Sequence, residues 1–253
     1  MTKKVTITVV ESAGSTNEMA LKALEEGARQ GEAFLADRQE AGRGRRHTDG
    51  ERRVWFSPGG VNLYLSVVVR PDVPPHRLAP ITLAVGASVV ERLREKTGVD
   101  LWLKWPNDIF VGDRKLGGLL TEGAMGPEGL EGAVVGLGIN CNVEEEAFPE
   151  ELRGRATSLR IETGEKVDRL SLAIAVAEAV VDGARRFQAE GLAGFGERIN
   201  ALDRLKGRSV DVVNGGSVRQ GIVQGIGADG GLQVEFDGDI EEVISGEVRV
   251  HEE

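Results

Sequence analysis

The sequence predicts an α+β fold, with a mixed-sheet domain followed by a small all-β module. Three observations lead there. Before residue 205, strand-like and helix-like runs do not alternate strictly, which disfavours an all-parallel α/β sheet. From Gly207 onward, short β runs are separated by Asn214-Gly215-Gly216, Asp229-Gly230-Gly231 and Asp237-Gly238, the signature of tight β turns. Glycine supplies 35 of the 253 residues, about twice its usual share. Much of the backbone must therefore turn sharply or approach something closely. The expected domains are 1–205 and 206–253.

The elements follow in order. The β-branched run "VTITVV" opens the chain as a strand, too short for a signal peptide. A helix should start at Ser15 or Thr16, where Ser15 and Glu18 fit a capping box, and stop at Gly27 or Gly31. Met19, Ala20, Ala23 and Leu24 give it an apolar face. Residues 33–39 and 62–70 read as strands, the second closed by Pro71. Residues 79–98 form an amphipathic helix. Residues 100–105 form a strand that stops at Pro106. Residues 108–123 form a hairpin that turns at Gly112-Asp113, and 132–140 a buried strand. A long helix over 168–191 and a shorter one to about Leu205 complete the first domain.

Composition narrows the function. Lysine and arginine number 31 against 41 acidic residues, a net charge of −10. That charge makes a poor general ligand for nucleic acid or an anionic membrane. No apolar run approaches the roughly 20 residues that span a bilayer. The single cysteine, Cys141, rules out an internal disulfide and suits a reducing cytoplasm. The histidines, His47, His76 and His251, show no metal-ligand spacing.

Against that acidic background one basic segment stands out. Arg38, Arg43, Arg45, Arg46, Arg52 and Arg53 crowd into a glycine-containing window that holds only Glu40, Asp49 and Glu51 as acids. Guanidinium forks suit carboxylate and phosphate, and Gly42 and Gly44 allow backbone N–H groups near an anion. A solvated charged loop is the alternative. The pattern "GIGADG" at 225–230 matches a dinucleotide fingerprint but lies between β runs with no helix after it, so its glycines read as turns. Three further groups stand out. Asn107 and Asp108 sit where a strand exits at "KWPND", with Lys115 and two glycines following in "RKLGG". "GLGIN" leads a strand into Asn140. Ser15-Thr16-Asn17 opens a helix. Each has an ordinary structural counterpart: an Asx turn, close packing at a sheet centre, and a helix cap.

Taken in order, Ser15-Thr16-Asn17, "RQEAGRGRR" (38–46), "WFSPGGVNLYLS" (55–66), "KWPNDIFVGDRKLGGLLTE" (104–122) and "GLGINCN" (136–142) resemble the biotin protein ligases over nearly the whole chain. The resemblance implies a catalytic α+β domain of the biotin/lipoate ligase type and a small SH3-like β-barrel. It implies two chemical steps: biotin and ATP give biotinyl-5′-AMP, and a lysine of a biotin carboxyl carrier protein then takes the biotin. It implies that Ser15, Thr16, Asn17 and Gln39 meet the ureido ring. Arg43, Gly44 and Arg45 would hold carboxylate and phosphate, and Lys115 would bridge the two. Gly118 would keep the pocket open, and Trp55 would cover the adenine or the lid. Asn107, Asp108 and Asn140 would organise ATP with its Mg²⁺, without a dedicated protein metal site. It also implies a homodimer through the catalytic sheet and no nucleic-acid or membrane partner. The first strand starts at about Val5, which leaves no room for the DNA-binding helix-turn-helix that some relatives carry. Residues 40–54 are expected to form a mobile lid. "HTDGERRV" lengthens that loop, so His47, Arg52 and Arg53 receive no role. A lipoate–protein ligase and a non-catalytic binder of a small acid are the competing readings.

Overall fold

The computed structural model describes residues 5–46, 52–127, 129–214 and 216–251. The first body is built from β1 (Thr6–Ala13), α1 (Thr16–Glu25), β2 (Glu32–Gln39), β3 (Arg43–Arg46), β4 (Arg52–Val54) and β5 (Leu63–Val69). There follow α2 (Leu78–Thr97), β6 (Leu101–Lys104), β7 (Asp108–Val111), β8 (Arg114–Gly126) and β9 (Gly129–Ile139). α3 (Leu159–Thr163), α4 (Arg169–Glu190) and α5 (Gly196–Leu202) close it. Seven strands form one sheet in the order β1-β2-β5-β9-β8-β7-β6. The β1–β2 pair is parallel and every other pair is antiparallel, so the sheet is mixed, as predicted.

The sheet's two faces serve different purposes. In β5, Leu63, Leu65, Val67 and Val69 point to one face and join the main core with Leu83, Val90 and Leu93 of α2 and Val176, Val180 and Phe187 of α4. The opposite face is only partly covered. There α1 lays Ala20 and Leu24 on Val68 and Val134. Because α1 has only ten residues, it leaves the rest of that face uncovered by helix.

Local chemistry sets the helix ends. Asp168 caps α4 by accepting from Leu170 and Ser171 N–H groups; the Ser171 hydroxyl first, and then those N–H groups, hold its carboxyl below the ordinary carboxylate value. The expected capping box at Ser15 is not made. Ser15 holds the N-cap position without a side-chain cap bond, and Glu18 turns instead to Arg43. An ion pair across the chain has displaced a local hydrogen bond.

The second body is a five-stranded antiparallel sheet in the order β13-β12-β11-β10-β14. Its strands are β10 (Ser209–Asn214), β11 (Ser217–Ile226), β12 (Leu232–Phe236), β13 (Asp239–Val243) and β14 (Glu247–Val250). Asp237 and Gly238 both adopt positive φ, 53° and 96°, in the tight turn their sequence foretold. "GIGADG" is indeed a turn, closed by Gly227 N–H donating to Gly231 O. Val210, Leu232 and Phe236 of this sheet join the same hydrophobic core as the first body; polar contacts between the two include Trp105 Nε1 donating to Gly230 O at 2.9 Å and Arg45 donating to Gly246 O at 3.5 Å.

Candidate functional site

Residues directly opposite in an antiparallel pair share a face. Register therefore shows what lines the open face of the sheet. One row runs Ala36–Tyr64–Gly138–Gly118–Asp108–Lys104 from β2 to β6. The next runs Phe34–Ser66–Gly136–Leu120. Where other strands carry side chains, Gly136, Gly138 and Gly118 leave a trough. Other residues already reach into it. A Cβ on Gly138 would lie 2.6 Å from the Trp55 indole, and one on Gly136 would lie 1.9 Å from Asn17 Oδ1.

One end of the trough is polar and uncharged. Gln39 Oε1 accepts from Thr16 N–H at 2.9 Å and stands 3.2 Å from the Thr16 hydroxyl. Ser66 Oγ lies 2.8 Å from Thr16 Oγ1 and 2.6 Å from Asn17 Oδ1. The Asn17 amide donates to Leu120 O and to Glu122 at 2.7 Å. With its carbonyl turned to Thr16, Gln39 presents its NH₂ donors on the other side. Ser15, Thr16 and Asn17 are all nearly buried at 3–4% exposure. A buried cluster of this kind suits a ligand with its own donors and acceptors.

The other end is charged. Lys115 Nζ lies 2.7 Å from Asp108 Oδ1 and 5.5 Å from the centre of the Trp55 ring. The place where Gly118 would carry a Cβ is 3.8 Å from Lys115 Cε, so the lysine stem lies along that glycine. Arg45 donates to Asn107 Oδ1 at 3.4 Å, and Asn107 gives its own amide to Leu119 O. The Lys115 backbone is clamped, its N–H donating to Arg155 O and its carbonyl accepting from Thr157 N–H.

Arg43 sits beside the polar end, with its side chain 12% exposed. It pairs with Glu18 and, at 3.3 Å, with Glu122. Its Nε and the Trp55 Nε1 are buried donors without a hydrogen-bond partner among the described residues. Such atoms are costly unless something else accepts from them.

Most of the predicted residues therefore meet in one place: Ser15, Thr16, Asn17 and Gln39 at the polar end, Arg45, Asn107, Asp108 and Lys115 at the charged end, and Gly118 and Trp55 between them. Arg43 flanks the group. Asn140 does not reach the trough. It lies behind it, its amide donating to Thr157 O and its oxygen accepting from Asn62. Through Thr157 it braces the clamp on Lys115. The arginine segment is not the irregular loop expected: Arg43 pairs with Val54 and Arg46 with Arg52 in a two-stranded hairpin. Gly44 and Arg45 occupy the register shift between those pairs. The middle of the expected lid, 47–51, lies outside the described residues.

Sequence reasoning missed Glu18, Glu122 and Ser66. Two of them left a signal. Ser66 is the lone small polar residue in the fully buried strand β5. Glu122 follows Gly118 and Leu120 at the two-residue strand period. Cys141 is buried beside Asn140, and burial pushes its thiol up to about 12. At pH 8 a thiolate-selective reagent should leave the native protein unlabelled and should label it fully after unfolding. Rapid labelling of the native state would refute the closed packing of this strand end. A separate hollow of about 340 Å³, lined by Lys96, Thr163, Lys166 and Ser171 among others, includes no trough residue.

Comparison with known proteins follows the same geometry. Residues 9–140 match the family model described as "Biotin/lipoate A/B protein ligase family". The Bifunctional ligase/repressor BirA of Escherichia coli is 34% identical over 242 residues, covering 96% of this chain and 73% of that protein. The protein of that name from Bacillus subtilis is 37% identical over 155 residues, covering 61% of this chain and 46% of that one. The chain thus aligns with about half the length of its Bacillus relatives. Among solved structures, the biotin protein ligase of Aquifex aeolicus in complex with biotin and ATP superposes with a TM-score of 0.79 at 30% identity, over 98% of this chain and 99% of that one.

Proposed function

Because the chain belongs to the biotin/lipoate A/B protein ligase family, we propose that it is a biotin–[biotin carboxyl carrier protein] ligase. It activates biotin with ATP to biotinyl-5′-AMP and passes the biotin to a lysine of a carrier domain. One observation carries this reading: the uncharged polar cluster and the cationic end share a single glycine-floored trough. An acid whose head needs hydrogen bonds can lie along it with its carboxylate near Lys115.

The polar end separates biotin from lipoate. A ureido ring has N–H donors and a carbonyl acceptor for Ser15, Thr16, Asn17 and Gln39. A dithiolane has neither, and each buried donor or acceptor it covered without replacing its water would cost about 1–3 kcal/mol. The cationic end separates a ligase from a mere binder, since Lys115 and Arg45 are more positive charge than one carboxylate needs. In the first step a carboxylate oxygen bonds to the α-phosphorus while the bond to the bridging oxygen breaks. Lys115 is placed to hold both anions, sharing or leaving Asp108 to do so. Arg43, already held by Glu18 and Glu122, and the Gly44–Arg45 stretch close over the acyl phosphate and keep water from it. Trp55 covers the join. Mg²⁺ arrives with the triphosphate and neutralises part of its charge. Asp108 and Asn107 are the side-chain oxygens at that end that would face the ion, and no dedicated metal site is proposed. In the second step the carrier's amine attacks the acyl carbon and AMP leaves.

Residues 1–205 form the catalytic domain in this reading, with 206–253 a separate SH3-like module against the ATP end. The carrier domain is the partner, the cytoplasm the location and a homodimer the proposed assembly. Of the described helices, none is long and apolar enough to cross a membrane. The test is pyrophosphate exchange into ATP: biotin should drive it and lipoate should not. Exchange with lipoate alone would reverse the substrate, and tight biotin binding without any exchange would leave only a binder.

A further inference from the structure

Lys104 is the last residue of β6, the outermost strand of the large sheet. It stands opposite Asp108, which stands opposite Gly118. Lys104 therefore shares the trough's face with Lys115's partner and with the glycine floor. It is half-buried. Its ammonium makes no ion pair or hydrogen bond among the described residues and lies over the Phe110 ring at 4.9 Å. The same burial lowers its pKa, opposed by the charge of Asp108 and helped by that of Lys115. Asp108 and Glu247 act on it only through space, so a half-buried ammonium that faces the site keeps its direct contacts open to an incoming anion.

We propose that Lys104 is the cation that receives the leaving pyrophosphate in the adenylation step. The inference rests on the ligase reading above and follows from strand order. The acid's head lies over β5 and β9, at Ser66 and Gly136, and its carboxylate reaches Lys115 on β8. Displacement at phosphorus keeps the attacking and leaving oxygens roughly in line. An attack that comes from the β9 side must expel the pyrophosphate toward β7 and β6. Strands lie about 4.8 Å apart, so β6 is about 10 Å beyond β8, a span suited to the β- and γ-phosphates. The carboxylate oxygen forms its bond to the α-phosphorus, the bond from that phosphorus to the α–β bridging oxygen breaks, and the pyrophosphate departs with the electron pair. Lys104 stabilises that departing charge. A neutral methionine of similar length would cover Phe110 as well, so packing alone does not need the charge.

Lys104→Met and Lys104→Gln, with Lys104→Arg as the charge-retaining variant, separate the possibilities. Two rates are measured for each: biotin-dependent pyrophosphate exchange across pyrophosphate concentrations, and transfer from preformed biotinyl-AMP to a carrier domain. The two neutral variants should raise KM for pyrophosphate and slow exchange by about 10- to 100-fold, the scale of losing one preorganised donor. Transfer should change less than about twofold, because no pyrophosphate takes part, and Lys104→Arg should recover most of the exchange. Normal exchange in both neutral variants, or equal losses in exchange and transfer, would overturn the assignment. A wild-type chain with no biotin-dependent exchange would instead overturn the ligase reading, and the Lys104 role with it.

Discussion

Lys115→Ala is expected to slow biotin-dependent pyrophosphate exchange by about a hundredfold or more, while biotin affinity falls only a few-fold. The difference follows from where the ammonium sits. It lies at the charged end of the trough, 2.7 Å from Asp108 and away from the cluster around Ser66 and Asn17. On the ligase reading, biotin's head would be held without it. What needs Lys115 is charge that builds only as carboxylate and phosphate merge, and a group that acts on that charge raises the rate more than the affinity. The structure prepares the residue for this. Its backbone is clamped by Arg155 and Thr157, and Asn140 holds Thr157 from behind. The stem runs along Gly118, so little motion is needed at the moment of reaction. Removing the lysine also leaves Asp108 unpaired beside incoming phosphate, a repulsion that should weaken ATP binding further. The double variant Lys115→Ala with Asp108→Asn should therefore bind ATP better than Lys115→Ala alone, with exchange still lost. A single variant with normal turnover and merely weaker biotin binding would show that Lys115 holds substrate and does no more.

How far the sequence revealed this site depends on the range of the interactions. Elements defined by periodicity were legible: α2 and α4 from their apolar stripes, and β5 and β9 from short, nearly uncharged runs of apolar residues. So were Asn107, Asp108 and Lys115, because Pro106 and the following hairpin confine them to a few residues of chain. The β3–β4 pair and the acidic strand β13 were not legible. Arg-Gly-Arg-Arg and Asp-Ile-Glu-Glu-Val lack the alternation of a half-buried strand. For Asn140 the sequence left the range of its action open, because its position at a strand end looks the same whether its side chain meets a ligand or Asn62, which is 78 residues away in sequence. Glu18 suited a capping box on local grounds, and only the fold brings Arg43 beside it. The glycines were the most informative signal. Their abundance indicated close approach somewhere, and the strand register converted it into a specific trough floor.

That floor leads to the other large effect. Gly136→Ala is expected to destabilise the protein by about 2–4 kcal/mol and to weaken biotin binding by tenfold or more. A Cβ at residue 136 would sit 1.9 Å from Asn17 Oδ1 and 2.7 Å from its Cγ. Neither partner can yield easily. Gly136 lies in the middle of β9, paired with Ser66 on one side and Leu120 on the other. Asn17 is 4% exposed and tied to Ser66, Leu120 and Glu122. To admit the methyl group, Asn17 must turn away. It then abandons bonds worth about 1 kcal/mol each, and Ser66 loses the Asn17 oxygen that accepts from it. The same movement loosens Glu122, and with it one of the carboxylates that hold Arg43. Gly123→Ala is the contrasting case on the adjacent strand. Its Cβ would meet Leu78 Cδ2 at 2.7 Å and Leu130 Cδ1 at 3.0 Å. Those are the ends of flexible side chains that can swing aside, so its cost should stay within about 1 kcal/mol. Thermal or urea melts with biotin titration on both variants decide the matter. Equal, small effects at the two positions would mean that Asn17 moves freely and that the polar end is less rigid than its hydrogen bonds indicate. A large loss of binding at Gly136 alone would tie the missing side chain directly to the pocket.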